Sequence, residues 1–104
     1  MIPVSTVRIG PHDIAIRVLK AEERDANLGS FSSIQQSIGV REAYATPSQE
    51  AETLIHEILH AVYVIMDARP KDSEERLVGL MATGLAMVIR DNPELIEWLS
   101  ESMR

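Results

Sequence analysis

Residues 46–66 read TPSQEAETLIHEILHAVYVIM, and they carry the most complete helix signal in the chain. Thr46 is a favourable N-cap, Pro47 suits the first helical position, and Gln49 completes a capping box. A helix is therefore predicted over residues 47–66. Its second half is apolar on nearly every side apart from one polar stripe, which is typical of a central, buried helix rather than of a surface helix.

Residues 1–45 have a different pattern, in which β-branched residues recur at every second position. This period is typical of strands, and Gly10-Pro11 is turn chemistry that predicts a hairpin. A third strand is predicted over residues 33–41, after a mostly polar connection at residues 21–33. The alternating residues that define the three strands are Val7 and Ile9, then Ile14, Ile16 and Val18, then Ile34, Ile38 and Val40.

Two more helices are predicted after the central one. Asp72 or Ser73 can cap a second long helix that ends near residue 90, and Asn92-Pro93 opens a short third helix. The apolar residues expected to dock the third helix are Leu95, Ile96, Trp98 and Leu99. The predicted fold class is α+β: one domain, residues 1–104, with a small antiparallel sheet of about three strands, or a mixed sheet, packed on two long helices and a short C-terminal helix.

Composition limits the possible functions. With 104 residues the chain can build a single core, and a hydrophobic fraction of 45% with 25% charged residues is ordinary for a folded domain. No cysteine is present, so a transition-metal site would have to use His, Asp or Glu. The net charge of -6 argues against a nucleic-acid surface. No apolar run or leader pattern stands out, so we expect a cytoplasmic protein without membrane contact.

The polar stripe of the central helix contains the segment HEILH. His56 and His60 are four residues apart, so their rings project from adjacent turns toward one point, and imidazole is a good zinc ligand. Glu57 is the neighbour of His56, close enough to reach a zinc-bound water and badly placed to be a ligand. Zinc lowers the pKa of such a water to about 7, and a carboxylate can then act as the general base.

Ordinary structural roles are the alternative for each of these residues. The histidines could be neutral, hydrogen-bonded helix residues, although burying two imidazoles and a carboxylate in an apolar helix is costly without a partner such as a metal. Tyr63 shares the face of His60 and could reach the site with its hydroxyl, but it could equally pack in the core. His12 lies alone in a turn and is not expected to be a ligand.

A catalytic zinc site needs a third protein ligand and keeps its fourth position for water. Glu74 falls on the apolar stripe of the second helix and is the first candidate, while Glu75 lies at its margin and is the alternate third ligand. Glu75 could instead form a capping box with Asp72. Asp67, Asp72 or no protein residue at all are the remaining options.

The segment TLIHEILHA at residues 53–61, followed by SEERLVGLMATGL at residues 73–85, resembles minimal zincin-fold metallopeptidases. The resemblance is to small HExxH proteins of phages and prophages, distantly related to the ImmA/IrrE and SprT-like peptidases. It implies a zincin-like fold, zinc at His56 and His60, Glu57 as the catalytic base, and a glutamate of the following helix as third ligand. The Glu-Ala-Asn/Asp pattern of the better-known relatives is missing here.

The expected function is thus a zinc-dependent metallopeptidase that acts on a protein or peptide, located in the host cytoplasm if a phage encodes it. The alternative is a catalytically silent interaction module of the same fold, in which zinc is structural. The strand predicted over residues 33–41 could be an edge that takes a peptide by strand addition, unless it is paired on both sides. The oligomeric state is left open.

Overall fold

The computed structural model describes residues 1–20 and 28–104, and this part of the chain contains a four-stranded mixed sheet and three helices. The α+β prediction is confirmed, with one strand more than expected and with the mixed rather than the antiparallel sheet. In chain order the elements are β1 Thr6–Ile9, β2 His12–Val18, β3 Gly29–Ser32, β4 Ser37–Val40, α1 Pro47–Ile65, α2 Glu74–Asp91 and α3 Pro93–Ser102.

The strand order in the sheet is β1-β2-β4-β3. β1 and β2 form the predicted antiparallel hairpin, whose two-residue turn pairs Ile9 with His12, and Gly10 takes a φ of 57° that favours glycine. β2 runs parallel to β4, and β3 is antiparallel to β4. β4 is therefore an inner strand, and β3 lies at one edge of the described sheet.

The prediction of one strand over residues 33–41 is wrong in its first half. Residues 33–36 form the turn between β3 and β4, in which Gln36 has a φ of 51° and Ile34 is 95% exposed. The predicted connection at residues 21–33 ends in β3, while residues 21–27 lie outside the described part. Because β4 pairs on both sides, it cannot be the edge that takes a peptide.

The N-terminus of α1 has the predicted N-cap at Thr46, but the return bond from the Gln49 side chain goes to Ala45 and not to Thr46, so the capping box is shifted by one residue. The Gln49 backbone N–H donates to Thr46 Oγ1 at 3.0 Å, and Gln49 Oε1 accepts the N–H of Ala45 at 3.0 Å. One face of α1 packs on the sheet and on the other helices. The resulting core contains Val7, Ile9, Ile14, Ile38, Val40, Ala51, Leu54, Ile58, Ala61, Val62, Val88, Leu95 and Leu99.

Gly84 is the closest approach of α2 to α1, because a Cβ there would collide with Val62 Cγ1. The N-cap of α2 is Ser73, which accepts the N–H of Arg76 at 3.2 Å. The carboxylate of Asp72 instead accepts the N–H of Arg69 and the Nε–H of Arg76, so the box of Asp72 with Glu75 is not formed. Leu95 and Leu99 dock α3 as predicted, with Ile96 and Trp98 packed beside them.

No helix in residues 1–20 and 28–104 is both long and apolar enough to cross a membrane.

Candidate metal centre

The histidines of α1 converge as the sequence predicts. The Nε2 atoms of His56 and His60 are 3.2 Å apart, with ring centroids 4.9 Å apart and ring planes inclined at 66°. Two nitrogens at the usual zinc distance of about 2.0–2.1 Å and at a tetrahedral angle lie about 3.3 Å from one another. The pair therefore has the spacing of two zinc ligands. The same spacing also lets one neutral imidazole donate a hydrogen bond to the other.

The burial of the HEILH segment differs from the expectation. His56 and His60 are exposed, whereas Glu57 is only 6% exposed. The cost of desolvation that we assigned to the whole triplet therefore applies to Glu57 alone. Exposure does not weaken the pair as ligands, because a catalytic metal needs access to water and substrate.

Glu57 lines a cavity of about 540 Å³ between α1 and β3, which we call the α1–β3 cleft. A Cβ at Gly29 would lie 2.8 Å from Thr53 Cγ2 and 3.2 Å from Glu57 Oε2, so only glycine lets β3 approach the carboxylate this closely. Glu57 makes no hydrogen bond or ion pair within the described residues. The residues lining the cleft are Leu28, Gly29, Gln49, Glu52, Thr53, His56 and Glu57.

Tyr44 holds the start of β3 against this cleft. Its hydroxyl donates to the carbonyl of Leu28 at 2.7 Å and accepts the backbone N–H of Arg41 at 3.0 Å. Burial raises the pKa of the Tyr44 phenol, and the negative charges of Glu50 and Glu57 add to this effect. The hydroxyl therefore stays protonated over a wide pH range and can keep donating to Leu28.

A second cavity, of about 260 Å³, opens on the other side of the histidine pair. Tyr63 lines it together with His56 and His60, so its half-buried ring is beside the candidate metal position rather than wholly inside the core. Met81 of α2 is part of the same wall.

The candidate third ligands are not gathered around the histidines. Within residues 1–20 and 28–104 no group of three or more His, Asp or Glu side chains is arranged to hold a metal. Glu74 and Glu75 are both exposed in the first turn of α2. Met81 lies seven positions after Glu74, so the two share a helix face. Glu75 is rotated away from Met81 by roughly 120° around the helix.

The other two options are engaged elsewhere. Asp67 has a φ of 56° and forms an ion pair with Arg69 at 3.2 Å, and Asp72 holds Arg69 and Arg76. These contacts tie both carboxylates to the linker between α1 and α2. Glu74 is thus the candidate that makes no hydrogen bond or ion pair within the described residues and that shares a helix face with Met81 of the histidine cavity.

Several cleft residues were not identified from the sequence. Glu52 and Thr53 precede His56 by four and three residues, so helical spacing alone could have placed them on the same side of α1. Gly29 and Leu28 carry no such signal. They reach the cleft only because β3 pairs with β4 and is held by Tyr44.

Comparison of the chain with protein-family models, with curated proteins and with solved structures finds no match. The zincin resemblance therefore remains a prediction made from the HEILH segment and its surroundings.

Proposed function

We propose that this protein is a zinc-dependent peptidase in which His56 and His60 hold the metal and Glu57 is the general base. A single observation carries the proposal: two imidazole nitrogens 3.2 Å apart stand next to a buried carboxylate that lines a cleft. The two proposed metal ligands, the proposed base and the cavity for a substrate thus lie next to each other along about one turn of α1. This combination is what metal-assisted hydrolysis requires.

Glu57 is the residue whose environment most needs a functional explanation. Glu57 as a residue is only 6% exposed, and burying a glutamate that has no hydrogen-bond partner in the described residues costs folding free energy. Its carboxylate faces the cleft, where it can take a proton from an attacking water and return it to the leaving amine of the cleaved peptide. We assign to Tyr63, which lines the second cavity with the histidines, the role of donating its hydroxyl to the oxygen that develops negative charge.

Zinc, when bound, supplies a Lewis acid that acidifies water and polarises the carbonyl of the substrate. The chain offers His56 and His60 for it, and we assign the third position to Glu74, with Glu75 as the alternate. Two imidazoles and one carboxylate are a common catalytic donor set for zinc, and Glu74 would complete it by moving toward the histidines, because the described residues gather no third ligand beside them.

The edge of β3 that pairs with no other described strand is the proposed binding surface for the substrate backbone. β3 is the edge strand of the described sheet, and its first residue, Gly29, lies against Glu57. A peptide that adds to this edge as an extended strand would pass alongside the α1–β3 cleft. Strand addition thus belongs to residues 29–32 and not to the strand expected from the sequence.

The alternative, a silent module with structural zinc, is less well supported. Structural zinc sites are closed by four protein ligands, whereas His56 and His60 are exposed and open onto a cavity on each side. A structural zinc would also not explain why Glu57 is buried beside a cleft. Both observations favour a metal that meets a substrate.

The test is the metal content and the protease activity of protein purified without a histidine tag. We expect about one zinc per chain, and cleavage of an unfolded generic protein that is lost in Glu57→Gln while zinc is retained. His56→Ala and His60→Ala should lose both. Absence of zinc from the wild type after incubation with the metal would overturn the proposal, and so would cleavage that survives Glu57→Gln.

A further inference from the structure

The α1–β3 cleft carries more negative charge than hydrolysis requires. Besides Glu57, it contains Glu52, which lies one helical turn before His56 and exposes its carboxylate to the cleft. Glu52 makes no hydrogen bond or ion pair within the described residues. No lysine or arginine is among the described residues that line the cleft, so none of these residues offers Glu52 or Glu57 an ion pair.

The buried member of the pair is what marks this region as a binding site. Glu57 is more than nine-tenths buried, it has no partner in the described part of the chain, and it faces the cleft. A carboxylate so placed favours a cationic or hydrogen-bond-donating group in the space before it. Glu52 extends that negative field by one turn along α1, away from the histidines.

Gln49, a neutral polar side chain of the cleft, cannot take over this role. Gln49 uses its Oε1 to accept the N–H of Ala45 at 3.0 Å, so its carbonyl oxygen is engaged in capping α1. Only its NH2 group is left for a ligand, and an NH2 group does not attract a cation. Thr53 and Leu28 supply apolar surface along which an aliphatic stem can lie.

We infer that the cleft receives a lysine or arginine side chain of the protein substrate and that Glu52 determines this specificity. The aliphatic stem lies along Leu28 and Thr53 while the cationic head pairs with the Glu52 carboxylate. The inference deepens the proposed peptidase function and rests on it. The net charge of -6 acts in the same direction, because it attracts basic segments from a distance.

The experiment compares peptides that differ at one position, with lysine, norleucine or glutamate in an otherwise neutral sequence. Norleucine keeps the aliphatic stem and removes the ammonium group. The wild type should cleave the lysine peptide with a kcat/KM about fivefold above that of the norleucine peptide. Glu52→Gln should abolish this preference, and Glu52→Lys should reverse it in favour of glutamate.

Glu97→Gln is the matched control, because it removes the same charge from an exposed position of α3. It should keep the preference of the wild type. A general charge effect would change it in both glutamine variants, and that result would overturn the assignment to Glu52. Reversal of the preference by Glu52→Lys is an effect that a merely structural role of Glu52 would not produce.

Binding of fluorescent versions of the same peptides tests the specificity of the cleft separately from the peptidase activity. Cleavage that depends on Glu57 but shows no preference for lysine overturns the specificity and leaves the peptidase standing. If no peptide is cleaved, the proposed peptidase function is wrong. Binding of the peptides to the wild type then decides whether the cleft receives basic side chains. Tighter binding of lysine than of norleucine, lost in Glu52→Gln, then upholds a site for basic side chains, and equal binding overturns it.

Discussion

His56 Nε2 and His60 Nε2 lie 3.2 Å apart on the exposed side of α1, so these two of the three proposed zinc ligands need almost no rearrangement to bind, whereas Glu74 would have to move to join them. A ligand that binds only the folded state stabilises it by about 2.7 kcal/mol at a hundredfold excess over Kd. For a chain of this size we expect zinc to raise the Tm by about 10 °C. Differential scanning calorimetry with and without zinc measures this shift.

His60→Ala should lose the zinc-dependent part of the Tm, whereas His12→Ala, which changes an exposed histidine of β2, should keep it. An equal shift in both variants would show that zinc stabilises the fold through other groups.

Two glycines of α2 should respond in opposite ways to the same substitution. A Cβ at Gly84 collides with Val62 and approaches Met66 Cγ at 3.2 Å, so Gly84→Ala should lower the free energy of unfolding by about 1–3 kcal/mol. A Cβ at Gly79 meets nothing within 4 Å, so Gly79→Ala should raise it by about 0.5–1 kcal/mol through helix propensity. Urea denaturation measures both. Equal effects of the two substitutions would contradict the close contact between α2 and α1 at Gly84.

Tyr44→Phe should destabilise the protein by about 1–2 kcal/mol, because it leaves the Leu28 carbonyl and the Arg41 N–H without their hydroxyl partner. The pKa of Tyr44 is raised, so the folded state favours the neutral phenol. This stabilisation is fully present below the ordinary phenol pKa and is lost as the pH rises through the higher folded value. The difference between wild type and variant should therefore shrink at strongly alkaline pH.

Chemical denaturation at several alkaline pH values tests this dependence, with Tyr63→Phe as the control, since the Tyr63 hydroxyl takes no part in the hydrogen bond to Leu28. A difference that stays constant with pH would mean that the Tyr44 hydroxyl does not provide the tether.

Asp72→Asn should weaken the linker before α2 in a way that depends on acid. The backbone N–H of Arg69, followed by the Arg76 side chain, lowers the pKa of the Asp72 carboxyl below its ordinary value. A depressed pKa stabilises the fold above the ordinary carboxyl pKa, and this contribution is lost as the pH falls through the folded value. The wild type should exceed the variant in stability at neutral pH and approach it in acid.

Thermal unfolding at neutral and acidic pH compares the two proteins, and Glu101→Gln controls for the loss of an exposed charge. A gap between wild type and Asp72→Asn that widens in acid would contradict the role of the carboxylate.

The helices were predictable because their boundaries depend on local chemistry. Thr46 caps α1 by accepting the N–H of Gln49, and Pro93 opens α3 at its first position, although the Asn92 side chain makes no capping hydrogen bond there. The convergence of His56 and His60 likewise follows from the geometry of one helix. These features do not depend on what the rest of the chain does.

β3 was missed because its sequence, GSFS, has no β-branched residue, so its identity as a strand depends on pairing with β4. The apolar alternation that suggested a longer third strand was misleading, since Ile34 lies in a turn and contributes nothing to the core. The third metal ligand could not be identified from the sequence for the same reason. Its identity depends on how the linker sets α2 against α1, which no local pattern of the sequence encodes.

The burial of Glu57 implies a conflict between stability and activity. Its carboxylate is 6% exposed and unpartnered in the described residues, so an apolar side chain of similar size should fit the site better. Glu57→Leu is thus expected to raise the free energy of unfolding by about 1–3 kcal/mol while it removes the proposed base. Selection for stability alone would therefore replace this glutamate. Its retention in a related chain would indicate that the cleft of that chain is still selected for activity.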